Sequence, residues 1–128
     1  MQQLRYVEAE ITFLSPSEGG RTDPPILLSP NGTYRPHIVI GNPNQRKAIT
    51  VGTEIRETYL GVVFESGPDH IQFGEPLRAE FVLIYYPQSE HESVVPDATF
   101  TIREGARVVG YGQVKRVFFS DPAANVHN

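Results

Sequence analysis

Glycine and proline cut this sequence into short runs, and the runs between them alternate between apolar and polar residues. Eleven of each fall within 128 residues. In the first run, Val7, Ala9, Ile11 and Phe13 alternate with Glu8, Glu10 and Thr12. That period of two belongs to a strand with one face in a core and one in water. Val, Ile, Phe and Tyr dominate the later runs, and no stretch carries the period of an amphipathic helix. Such a chain is expected to be all-β, folded as a barrel or a sandwich.

The main strands are expected at residues 4–14, 35–40, 57–65, 76–86, 98–103 and 107–119, with a short extra strand at 48–51. Along 76–86, Leu77, Ala79, Phe81, Leu83 and Tyr85 share one face, while Arg78 and Glu80 share the other. Val82, Ile84 and Tyr86 make that second face apolar toward its end, so a loop or a partner is expected to cover it there. Glu104-Gly105-Ala106 reads as a tight turn in which Gly105 supplies positive φ. Gly110 and Gly112 inside the last run point to a bulge or a sharp corner. The breaker-rich loop at 15–33 holds Ile26-Leu27-Leu28, which is expected to pack back onto the sheet. Residues 1–120 form one domain on this reading, and 121–128 a frayed tail.

Several function classes are disfavoured by composition. There is no Cys, which removes disulfides, zinc-thiolate sites and thiol nucleophiles. The first residues, Met1-Gln2-Gln3-Leu4-Arg5, carry no apolar leader, and no apolar run reaches membrane-spanning length. A cytoplasmic protein without membrane contact is expected. His37, His70, His91 and His127 are scattered without metal-ligand spacing. The run Ser89-Glu90-His91-Glu92-Ser93 offers a nucleophile beside a base, but neighbours on one loop do not make a triad. No catalytic centre, metal or cofactor is therefore expected. The net charge of −4 and pI near 5.5 weigh against autonomous binding to nucleic acid, where neutralised phosphates supply much of the affinity.

Five segments, in order, resemble the third, C-terminal domain of elongation factor Tu. They are Phe13-Leu14-Ser15, Glu18-Gly19-Gly20-Arg21, Tyr34-Arg35-Pro36, Gly74-Glu75-Pro76, and Phe100-Thr101-Ile102-Arg103-Glu104-Gly105-Ala106-Arg107-Val108-Val109-Gly110. The resemblance implies a closed six-stranded antiparallel Greek-key barrel, in line with the number of main strands expected above. It also implies two enlarged loops, between Arg21 and Tyr34 and between Ile40 and Gly61, where new specificity would be built. In that family the barrel follows a GTPase domain and helps hold aminoacyl-tRNA. No P-loop occurs here, so no nucleotide is expected. The turn Glu104-Gly105 matches a turn of the family that touches the tRNA T-stem. His37 and Leu60 fall where the family has Gln and Thr near the RNA.

The candidate partner-binding or RNA-binding face thus comprises Arg21, Arg35, His37, Arg103, Glu104, Gly105 and Arg107. For an RNA surface, Lys115 and Arg116 are expected to join the arginines in one basic patch. Taken structurally instead, Arg21 pairs with a barrel carboxylate, and Arg103, Glu104 and Arg107 pair across the hairpin. The favoured reading is a non-catalytic module that engages a protein partner or a second copy of itself. The alternative is a tRNA-binding or RNA-binding module that keeps part of the T-arm surface.

Overall fold

The computed structural model describes residues 4–27, 34–55, 57–84 and 92–120. Expectations for Leu28, Tyr85, Tyr86, Ser89 to His91, His127 and the tail at 121–128 fall outside these residues.

The alternating first run forms β1 (Leu4–Phe13), with Val7, Ala9, Ile11 and Phe13 almost fully buried. β2 (His37–Ile40) follows the loop, then a small hairpin of β3 (Thr50–Val51) and β4 (Glu54–Ile55). β5 (Leu60–Ser66), β6 (Leu77–Leu83), β7 (Thr99–Glu104) and β8 (Arg107–Ser120) complete the set. Six of them close into an antiparallel barrel in the order β1-β6-β5-β2-β7-β8, and β3-β4 stands apart as its own sheet. β2, β5 and β6 run as a meander and β1 lies beside β6, which is a Greek-key connection. Among the described residues, helical structure is confined to short turns at Pro16–Glu18 and 92–93, and no helix is long and apolar enough to cross a membrane.

Inward side chains fill the barrel. Phe64, Phe81 and Phe100 stack through it with ring centroids 5.2 and 5.9 Å apart, a spacing that favours tilted and edge-on contacts. Leu27 folds back as expected and is buried, while its neighbour Ile26 stays 73% exposed. On the outer face Val82 is only 9% exposed. It is flanked in register by Tyr6 and Val63, and the Tyr6 ring lies parallel to Phe118 at 5.4 Å. Cross-strand neighbours therefore cover part of the apolar outer stripe expected there.

The glycines of the β7–β8 hairpin have two separate causes. Gly105 sits at φ 61° in the β7–β8 turn, a conformation that costs a side chain free energy. At Gly112 a Cβ would lie 2.6 Å from the Glu10 carbonyl oxygen and 2.7 Å from Ile11 Cγ2. The neighbouring strand is too close for any side chain. The expected bulge is present one residue before Gly110: Ile102 pairs with Gly110 and Arg103 with Val108, leaving Val109 unopposed. A second irregularity falls opposite Glu8 and Ala9.

Two strands begin later than their sequence pattern implies. β2 starts at His37 rather than at 35, and β5 at Leu60 rather than at 57. The cause of the second displacement is the ion pair described next.

Candidate functional site

The β7–β8 hairpin gathers most of the candidate residues at one end of the barrel. His37 is opposite Arg103 across β2–β7, and Glu104 is opposite Arg107 across the turn. Lys47, from the long connection after β2, forms an isolated bridge to Arg107. The loop after β1 brings in Arg21, whose Nη1 donates to Glu104 Oε2 at 2.6 Å. The Tyr34 hydroxyl donates to the same oxygen at 2.8 Å, and the Arg21 guanidinium lies over the Tyr34 ring. That hydrogen bond to Glu104 raises the pKa of Arg21. Burial, then the Glu104 carboxylate, push Tyr34 well above the ordinary phenol range. Arg21 thus pairs with a barrel carboxylate, as the sequence implies.

Arg103 is a correction. The sequence reading counts it in an exposed binding face, and the alternation of β7 points it outward. It does leave the barrel interior, yet it is 0% exposed. Its Nη1 and Nη2 donate to Glu57 Oε1 and Oε2 at 2.9 and 3.0 Å, a two-pronged contact. Nε donates to Thr101 Oγ1 at 2.8 Å, and Nη1 also reaches the Tyr59 hydroxyl at 3.0 Å. Glu57 accepts two further bonds, from the Ile49 N–H and from Gln45 Nε2, both at 2.8 Å. Arg103 and its companions hold the Glu57 carboxyl at about 2, against an ordinary 4.5, despite the opposing effect of burial. Burial also opposes the Arg103 charge, and the bonds to Glu57 and Tyr59 outweigh it, so its pKa rises.

The connection between β2 and β5 is what covers Arg103. Its end, Glu57 to Tyr59, lies over the outer surface of β2 and β7, with the Tyr59 ring 5.7 Å from that of His37. Thr101 and Val39, the outward neighbours of Arg103, are buried as well. The charged residues of the hairpin therefore bond to loops rather than across the turn: Arg103 to Glu57 and Glu104 to Arg21.

The remaining candidates divide as follows. Arg35, His37, Gly105 and Arg107 are exposed. Leu60 faces the core and is 3% exposed, so it is unavailable to RNA. Lys115 and Arg116 do not join the hairpin cations. They lie eight and nine residues along β8 from Arg107, about 26 Å or more at ~3.3 Å per residue, where Arg116 is 3.6 Å from Glu8.

A cleft of about 690 Å³ opens where the connection leaves the barrel, and no sequence pattern marked it. Val39, Ile40, Ile49 and Leu60 provide its apolar lining; Gln45, Glu57, Thr58, Glu92 and Ser93 provide the polar part. Ile49, in that lining, and Val51, two residues on in β3, are 55% and 61% exposed. Among the described residues, no three His, Cys, Asp or Glu side chains converge as metal ligands would. Compared with models of known protein families and with curated proteins, the chain matches none.

Proposed function

We propose that this chain is a non-catalytic binding module, a relative of the elongation factor Tu C-terminal barrel, and that it engages a protein partner through the cleft side of the barrel. The observation that carries this reading is an apolar-floored cleft whose lining includes the exposed Ile49, with a second exposed aliphatic side chain, Val51, two residues along the chain. Exposed apolar surface beside a concavity is what protein partners bury. The closed six-stranded antiparallel barrel agrees with the architecture that the resemblance implies. The added connection between β2 and β5 is where a relative of that barrel would differ in specificity.

The basic residues argue less well for RNA. Arg21 and Arg103 are committed to Glu104 and Glu57, and Lys115 and Arg116 lie along the strand from the hairpin. A phosphate backbone would find few cations gathered at one place.

A photo-crosslinking residue at Val51 tests this in native extract, with and without ribonuclease. A protein adduct that survives ribonuclease and is lost on Ile49→Glu is the expected result. Adducts that vanish with ribonuclease, or a salt-sensitive shift of bulk tRNA by the purified protein, would establish the RNA reading instead. No adduct at all would remove the cleft side from consideration.

A further inference from the structure

The barrel is not paired equally all the way round. β2 is matched to β7 at all four of its residues, from His37 opposite Arg103 to Ile40 opposite Phe100. On its other side it meets β5 at His37 with Gly61 and Ile38 with Leu60, and the bonding continues before β2, where the Val62 and Phe64 N–H groups donate to the Pro36 and Tyr34 carbonyls at 3.1 and 3.0 Å; beyond Ile38 the pairing stops. The Gly41 N–H donates to the Thr99 carbonyl at 2.9 Å, toward β7. Successive residues of an antiparallel strand send their backbone groups to opposite neighbours. Gly41 and Val39 therefore bond toward β7, and Ile38 and Ile40 toward β5. Ile38 has Leu60 there. Ile40 has no strand partner on that side among the described residues.

The reason is the ion pair. Residues 57–59 would continue β5 alongside Val39 and Ile40. Glu57 is instead drawn over the outer face to Arg103, and Tyr59 goes with it. The two chains part only beyond Ile38, and the cleft of about 690 Å³ is lined there by residues of both, Val39 to Gly41 on one side and Glu57 and Thr58 on the other.

An open strand edge is a template for another strand. We infer that this cleft receives a short extended peptide from a partner protein, apolar with a flanking Lys or Arg, as an added strand against the open edge of β2. This rests on the reading of the chain as a protein-binding module and names the chemistry of its partner. The backbone of Ile40 sets the extended form, because a helix has no free backbone groups to offer it. The apolar lining, with the half-buried Ile40 and the exposed Ile49 foremost, takes alternate apolar side chains. The charge follows from the lining, which among the described residues holds no Lys or Arg. Glu57 is neutralised by Arg103, which leaves the exposed carboxylate of Glu92 to face a cation.

The test uses the full chain as bait for a displayed library of random linear peptides. The expected winners alternate apolar residues and carry Lys or Arg. Added in solution, a winning peptide should slow hydrogen exchange at the Ile40 amide. Glu92→Lys should weaken it roughly tenfold by reversing the charge contact, and Ile49→Glu should do the same by spoiling the apolar wall. Both positions are exposed, so the variants are expected to fold, which their thermal melts verify. Failure to enrich any peptide overturns the inference. So do winners that bind as helices, that are acidic, or that leave Ile40 exchange unchanged. If the Val51 crosslinked partner still binds while Ile40 exchanges freely, strand addition fails and the binding-module reading stands.

Discussion

Replacing Arg103 by methionine keeps most of its length and removes its charge and donors. The side chain is fully buried and makes four hydrogen bonds, to Thr101, to Tyr59 and twice to Glu57. Glu57 is itself 5% exposed and would be left with the Ile49 N–H and Gln45 for company. Removing one member of a buried pair costs about 3–5 kcal/mol, because the other charge is stranded. The depressed pKa gives a similar figure by a separate route. Glu57 stands at about 2 against an ordinary 4.5, and at ~1.4 kcal/mol per pKa unit its surroundings favour the carboxylate by about 3 kcal/mol. Urea unfolding followed by linear extrapolation reads the loss directly. The melting temperature should fall by about 10–20 °C for a domain of this size. The double variant Arg103→Met/Glu57→Leu removes both charges and should recover to within about 2 kcal/mol of wild type. A loss below about 1 kcal/mol in Arg103→Met, the value of an exposed pair, would refute the claim that this ion pair anchors the connection to the barrel.

The same pair sets an acid response. Glu57 has a lowered folded pKa, so its contribution is complete above about pH 4.5 and is lost as pH falls toward 2. Unfolding free energy measured across that window should decline in wild type and decline less in Glu57→Gln. Gly105→Val should cost about 1–3 kcal/mol, because φ 61° is strained for a β-branched residue. Gly105→Asn should cost less, and equal melting curves for wild type and the Val variant would disprove the turn. Gly112→Ala should cost about 1–3 kcal/mol by overpacking, since its Cβ meets Glu10 and Ile11 at under 3 Å; denaturant titration that finds no loss would mean that β1 and β8 separate easily there.

Local pattern made much of the barrel legible. The alternation of Val7, Ala9, Ile11 and Phe13 fixes which face of β1 is inside, and Ala79, Phe81 and Leu83 do the same for β6. Gly105 located the closing turn. The direction of Arg103 was also legible, since strand alternation sends it outward. Its burial was not. The group that covers it, Glu57, is 46 residues away in the chain, and no periodicity reports such a contact. For the same reason residues 57–59 looked like the start of β5. Their composition suits a strand, and a tertiary ion pair takes them out of the sheet. The cleft is the product of that displacement, so no motif announced it. A signal did exist in outline: Arg103 and Thr101 form an outward polar pair on a strand whose neighbour turns Val39 to the same side, and such a mixed surface suits a cover.

The partnership of β1 and β8 bears on how the chain is made. These strands run side by side from Leu4 opposite Ser120 to Phe13 opposite Gly110, so the first part of the barrel to leave the ribosome waits for the last. Until then nascent β1 can lean only on β6, and β7 only on β2. Closure over so long a loop is slow, and chains crowded on one message could pair with each other in the interval. A chaperone that shields β1 during synthesis should therefore raise the yield of monomer more than one acting after release.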